Sequence, residues 1–178
     1  MKDQHTYFEK ADFASNFPLQ ILTAALGLVL VLLELSFAQW PVFYGAAPTL
    51  SLIFIYYMMI YHTKLMPIFS IFLMGIVGDV LLSDLVGGRA TALILLAYVM
   101  QIRLLRLQQS DFSYLWADFA VSCVFVSIFQ LTFFSLLNMA FPSLGPIVFQ
   151  IGTNLILFPL GFVIIFAVYQ LMQKMKMV

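Results

Sequence analysis

The chain has 178 residues, of which 63% are hydrophobic and only 9% charged, and its formal net charge is zero. Soluble domains carry roughly 25% charged residues, so this composition excludes an ordinary water-soluble globule. The scattered cations also give nucleic-acid binding no electrostatic footing. The length accommodates about six helical spans of roughly 20 residues joined by short loops, and the expected fold is an all-α integral membrane protein, a compact six-helix transmembrane bundle.

Residues 1–16, MKDQHTYFEKADFASN, mix acids, bases and aromatics, unlike a signal peptide with its basic start and early apolar run. They read as an N-terminal cytoplasmic or interfacial segment, with Tyr7, Phe8 and Phe13 resting at the membrane surface as a short helix or the segment fraying as a terminus. A single transmembrane domain, 17–172, follows, with spans expected at about 17–38, 48–62, 66–83, 89–106, 115–137 and 146–171 and a short basic tail at 173–178. Pro18, Pro48, Pro67 and Pro146 fall near the starts of spans, where a missing N–H does no harm. Pro159 falls inside the sixth and, with Gly161, predicts a kink. Trp40, Phe43 and Tyr44 suit an aromatic belt at one membrane face, and Tyr56, Tyr57 and Tyr61 at the other.

Cations orient the bundle. With a cytoplasmic N-terminus the inner side holds Lys2, Lys10, Lys64, Arg103, Arg106, Lys174 and Lys176, and the outer side only Arg89, a ratio of 7 to 1. The positive-inside rule therefore places both termini in the cytoplasm. Glu34, Asp79, Asp84 and Arg89 then share the outer depth, three acids against one base. The excess charge calls for a protonated carboxyl, water access or a basic partner residue at that level.

The chain is organised around residues 72–98, FLMGIVGDVLLSDLVGGRATALILLAY. Ten strongly apolar residues in 66–83 favour insertion by about 3–6 kcal/mol in sum, against roughly 2.5–3.5 kcal/mol for an aspartate at mid-depth. The segment inserts, and Asp79 must face other helices, take up a proton or find a cation, Arg89 being the nearest candidate. Gly75 lies one turn before Asp79 on the same helix face and lets a neighbouring backbone approach closely. Three roles stay open for Asp79: locking helices together, carrying a proton, ion or substrate, or receiving a partner's helix. Gln101, Gln130, Gln150, Thr153 and Asn154 are expected to hydrogen-bond between helices, for roughly 0.6 kcal/mol each.

The run Gly75, Asp79, Gly87, Arg89, Ala92 and Tyr98, with a short turn between two apolar helices, resembles the central hairpin of the rod shape-determining protein MreD family. The family often has proline before the turn glycine, where this chain has Leu85-Val86-Gly87. The resemblance implies a non-catalytic membrane scaffold of the bacterial cell-elongation (rod) complex in the cytoplasmic (inner) membrane. Such a scaffold associates with a membrane-anchored MreC-like protein and other cell-wall elongation components, and supports peptidoglycan synthesis and cell-shape control. Gly75, Asp79, Gly87, Arg89, Tyr98 and Glu34 are then the structural or partner-interaction candidates.

The residues themselves argue the same way. There is no phosphate-binding glycine loop, no nucleophile beside a histidine and no His/Cys zinc pattern, since His5 and His62 lie apart and Cys123 is the single cysteine. No enzyme, cofactor or metal site is expected; Asp79 and Asp84 are five residues apart and point to different helix faces. The alternative is a substrate-binding membrane subunit of an energy-coupling-factor-type vitamin transporter, its pocket built from Glu34, Asp79, Arg89 and the Gln150/Asn154 face. The Ala-x-x-x-Ala step that many such subunits use for docking does not occur in the chain.

Overall fold

A computed structural model describes residues 2–41, 47–82, 87–139 and 143–174, with side chains described for 17–170 within those ranges. Phe43, Tyr44 and Asp84, the side chains of residues 1–16 and the end of the basic tail lie outside the described residues. Six α-helices follow one another: α1 Lys2–Ala38, α2 Leu50–Tyr61, α3 Ile68–Leu81, α4 Gly88–Gln108, α5 Phe112–Asn138 and α6 Leu144–Lys174. A single 3-10 turn, Thr63–Leu65, joins α2 to α3.

Among the described residues, four stretches are long and apolar enough to cross a membrane: Phe17–Ala38, Gly88–Gln108, Phe112–Asn138 and Leu144–Gln170. Phe69, Ile102, Leu105, Leu136 and Ile156 are each at least 70% exposed, an outward apolar girdle far beyond what a water-soluble monomer displays. The chain is a membrane protein. α2 and α3, with 12 and 14 residues, reach only about 18 and 21 Å at 1.5 Å per residue, short of the roughly 30 Å hydrocarbon core. Burial explains how α2 can be so short: Ser51 to Ile60 are all buried, so this helix is clothed by protein rather than lipid. It touches α1, α4 and α6, while the others curve round it in the order α1, α3, α4, α5, α6, each packed on the next.

Proline placement follows the expected pattern in part. Thr49 caps α2 directly after Pro48, Pro67 is the N-cap of α3, and Pro146 sits in the first turn of α6. Pro18, expected near a helix start, lies inside α1, which begins at Lys2 and runs unbroken. Pro159 lies inside α6, where it leaves the carbonyl four residues earlier without its helical donor. That carbonyl, on Leu155, receives the indole N–H of Trp116 from α5 at 3.1 Å. A backbone defect in one helix thereby becomes a bond between two.

The core is aromatic where α2, α5 and α6 meet. Phe119 and Phe158 stack with centroids 4.2 Å apart, and Tyr56 stands edge-on to both at 5.2 and 5.7 Å, the offset and T-shaped arrangements that ring quadrupoles favour. Between α3 and α4 the contact is backbone to backbone: a Cβ on Gly75 would lie 2.4 Å from Ala90 Cα. The close approach expected at Gly75 is made by the next helix of the same hairpin.

Gly75→Leu is expected to destabilise the bundle by about 1–3 kcal/mol in a detergent unfolding titration, because α4 must move away. Gly152→Ala, where an added Cβ meets nothing within 4 Å, is expected to be neutral or slightly stabilising and serves as the control.

Candidate functional site

At the end of the bundle where α3 turns into α4, an elementary problem has to be solved. The first turn of a helix leaves backbone N–H groups without intrahelical partners, and in a low-dielectric surrounding each of these is costly. Gly87, with φ +99° in the left-handed region, is the N-cap of α4 and has no side chain to accept those donors. Asp79, wholly buried in the last turn of α3, does so from the neighbouring helix. Its Oδ2 accepts the Gly87 N–H at 2.7 Å and its Oδ1 the Arg89 N–H at 3.2 Å. The carboxylate also faces the positive end of the α4 dipole.

Glu34 repeats the device for α2. This residue of α1 is 1% exposed, and its Oε1 accepts the Ser51 N–H at 2.5 Å, in the first turn of α2. Its other oxygen takes the Arg89 guanidinium, whose Nη2 also donates to Ser51 Oγ at 2.8 Å. Arg89 therefore gives its backbone N–H to Asp79 and its side-chain charge to Glu34, so the nearest candidate cation for Asp79 pairs with another acid. Gly78 makes room for the crossing: a Cβ there would lie 3.2 Å from Arg89 Cδ, Nε and Nη1. α6 completes the end of the bundle. Asn154 accepts the Thr49 N–H at 2.7 Å and donates to Thr49 Oγ1 at 2.6 Å, and Gln150 donates to the Ala47 carbonyl at 3.1 Å.

Of the candidates read from sequence, Glu34, Gly75, Asp79, Gly87 and Arg89 come together here. Tyr98 does not: it is 63% exposed on the outward face of α4. Among the expected polar bridges, Gln150 and Asn154 reach from α6 to the segment leading into α2, whereas Thr153 bonds back to Gln150 O in its own helix and Gln101 is exposed.

Toward the opposite end lies a second polar cluster that sequence reading missed. Arg103 Nη2 pairs with Asp118 Oδ1 at 2.7 Å across α4 and α5. The Tyr56 hydroxyl, from α2, lies 3.1 Å from both Asp118 Oδ2 and the Leu115 carbonyl. Asp118 beside Trp116 reads from sequence as a helix-start residue; only the packing reveals its two partners from other helices.

A cavity of about 260 Å³ lies against the Asp79 and Arg89 corner, walled by α5 through Ser127, Gln130 and Phe133 and by Gln150 of α6. Among the described residues no group of three His, Cys, Asp or Glu side chains is placed to hold a metal ion. No protein-family model, curated protein or solved structure matches this chain.

Arg89→Met and Glu34→Met are each expected to cost about 3–5 kcal/mol, because each leaves a buried partner uncompensated. In a double-mutant cycle the combined variant is expected to lose less than the sum by about 0.5–3 kcal/mol. Asp79→Asn, which keeps one acceptor oxygen, is expected to cost about 1 kcal/mol, and Asp79→Leu about 3 kcal/mol, read from unfolding in detergent.

Proposed function

We propose that this chain is a membrane scaffold of the MreD type, a six-span component of the bacterial cell-elongation complex in the cytoplasmic membrane, with both termini inside. The observation that carries the reading is the α3–α4 corner. Gly75, Asp79, Gly87 and Arg89, four of the six residues on which the resemblance rests, hold this corner and its neighbours together through close packing, helix capping and the Glu34 ion pair. A signature consumed in locking helices suits a protein that presents a fixed shape to partners. In this reading α2 and α3 complete the six spans, α2 being tolerated at its short length because protein surrounds it. Arg103, Arg106 and Lys64 mark the cytoplasmic end, and Arg89, alone among the described cations at the other end, is drawn inside and neutralised.

Helices occupy nearly all the described chain, so its means of acting on others is its lateral apolar surface. The partner that fits is a single-span, membrane-anchored MreC-like protein, with other elongation components assembled around it and peptidoglycan synthesis and rod shape as the output. One observation favours a second reading, that of a vitamin-binding subunit of the energy-coupling-factor type: the cavity beside Asp79 and Arg89. Its volume of about 260 Å³ is below the roughly 300–1,000 Å³ of typical small-molecule sites.

The test is co-purification of the full chain with a full-length MreC-like partner from a shared membrane. On the scaffold reading the two co-elute after detergent extraction, Asp79→Leu lowers the recovered complex several-fold, and depletion of the chain in a rod-shaped bacterium makes cells round. A chain that elutes alone, with cell shape unchanged on its depletion and a tightly retained vitamin, overturns it.

A further inference from the structure

The charged side chains at the cavity already have hydrogen-bond partners. The Glu34 carboxylate and Arg89 guanidinium neutralise each other, and both oxygens of Asp79 accept backbone N–H groups. The Gln150 amide donates to Ala47 O, and Thr49 Oγ1 accepts from Asn154. Two wall residues remain, Ser127 and Gln130, less than one turn apart on α5. Neither side chain has a hydrogen-bond partner among the described residues, and both are half-buried, so their polar atoms stay accessible from the cavity. Serine and threonine in a membrane helix commonly bond back to the carbonyl one turn earlier, as Ser122 and Thr132 do in this same helix. Ser127 departs from that habit where it borders the cavity.

Depth makes the arrangement consequential. Gln130 lies eight residues before the C-terminal end of α5, about 12 Å along the helix axis. A primary amide facing hydrocarbon there would be costly, so a molecule in the cavity that pairs with it is favoured. We propose that the cavity is a binding site for a small uncharged molecule bearing a carboxamide on a ring, with Gln130 as its principal polar partner and Ser127 as the second.

The ligand class follows from chemistry and size. Gln130 offers a carbonyl acceptor beside an NH₂ donor, the complement of another primary amide joined by two parallel hydrogen bonds. Arg89 is committed to Glu34 and Ser51, and both Asp79 oxygens to backbone N–H groups, so an ion entering the site would lose its hydration without an unoccupied group of opposite charge to meet it. The wall also offers apolar surface to a ring, from Leu82, Leu131, Phe133 and Ile147. A cavity of about 150 Å³ holds one benzene, so 260 Å³ takes a ring with a carboxamide attached. The inference goes beyond the scaffold reading and needs no partner protein, so the two succeed or fail separately.

The experiment uses the full-length chain in maltoside micelles and four probes of one shape: benzamide, benzoate, benzylammonium and toluene. Binding is read by ligand-observed saturation-transfer NMR and by the ligand-induced rise in unfolding midpoint. Benzamide is expected to bind, and the other three at least about tenfold more weakly, the worth of roughly one buried hydrogen bond. Gln130→Leu is expected to weaken benzamide about tenfold and abolish its advantage over toluene, while Ser127→Ala weakens it less. Neither residue takes part in the helix-capping network, so the ligand-free unfolding midpoints should stay close to that of the parent chain. Equal binding of all four probes, no benzamide binding tighter than about 10 mM on the same affinity scale, or unchanged affinity in Gln130→Leu overturns the proposal. So does a co-purified lipid that benzamide fails to displace. If Gln130→Leu does not fold, the probe series and Ser127→Ala still decide the matter.

Discussion

A helix that begins within a low-dielectric region exposes N–H groups that water would otherwise satisfy. In this protein the answer is supplied across helices: a carboxylate from one helix closes the first turn of another. Asp79 of α3 receives the N–H groups of Gly87 and Arg89, and Glu34 of α1 receives that of Ser51. Each acid satisfies donors that would be costly unpaired and meets the positive end of a helix dipole in the same contact. The burial of each carboxylate and the start of each helix are therefore one interaction, and neither is stable in this form without the other.

Arg89 joins the two caps into a single unit. Its backbone belongs to the Asp79 cap and its guanidinium to Glu34 and Ser51, so α1, α2, α3 and α4 meet through one residue. A buried ion pair of this kind adds less to stability than its Coulomb attraction suggests, since both ions lose hydration. Its effect here is positional: the long arginine side chain reaches α1 only by crossing α3 over Gly78, which sets how close those helices lie. The tight Gly75–Ala90 contact one turn away works in the same direction. The proposed scaffold role rests on this rigidity, since a surface read by a partner must keep its shape.

Elsewhere the fold turns local irregularities into contacts between helices. Pro159 frees the Leu155 carbonyl and Trp116 of α5 takes it; Thr49, at the start of α2, is held by Asn154 of α6. The Tyr56, Asp118 and Arg103 cluster ties α2, α4 and α5 together below the cavity. Polar groups in this bundle are few, and the buried acids, Arg89 and Asn154 among them are spent on such joints. Ser127 and Gln130 stand apart from that pattern, which is why the wall they form reads as a place for a ligand.

Membrane residence, the all-helical class and the number of helices were legible in the residues, because each depends on local hydrophobicity and on where prolines and glycines interrupt it. Gly75 was legible as a site of close approach for the same reason. The pairing was not. Nothing in linear order says that Arg89 turns its charge to Glu34, 55 residues away, rather than to Asp79, ten residues before it; that choice follows from α1 and α2 lying together where α4 starts. The role of Asp118, the seclusion of α2 and the outward turn of Tyr98 likewise depend on which helices become neighbours. Sequence by itself determined which segments leave water, since transfer free energy sums along the chain. Tertiary structure alone decided which donor meets which acceptor, since that depends on distances across helices.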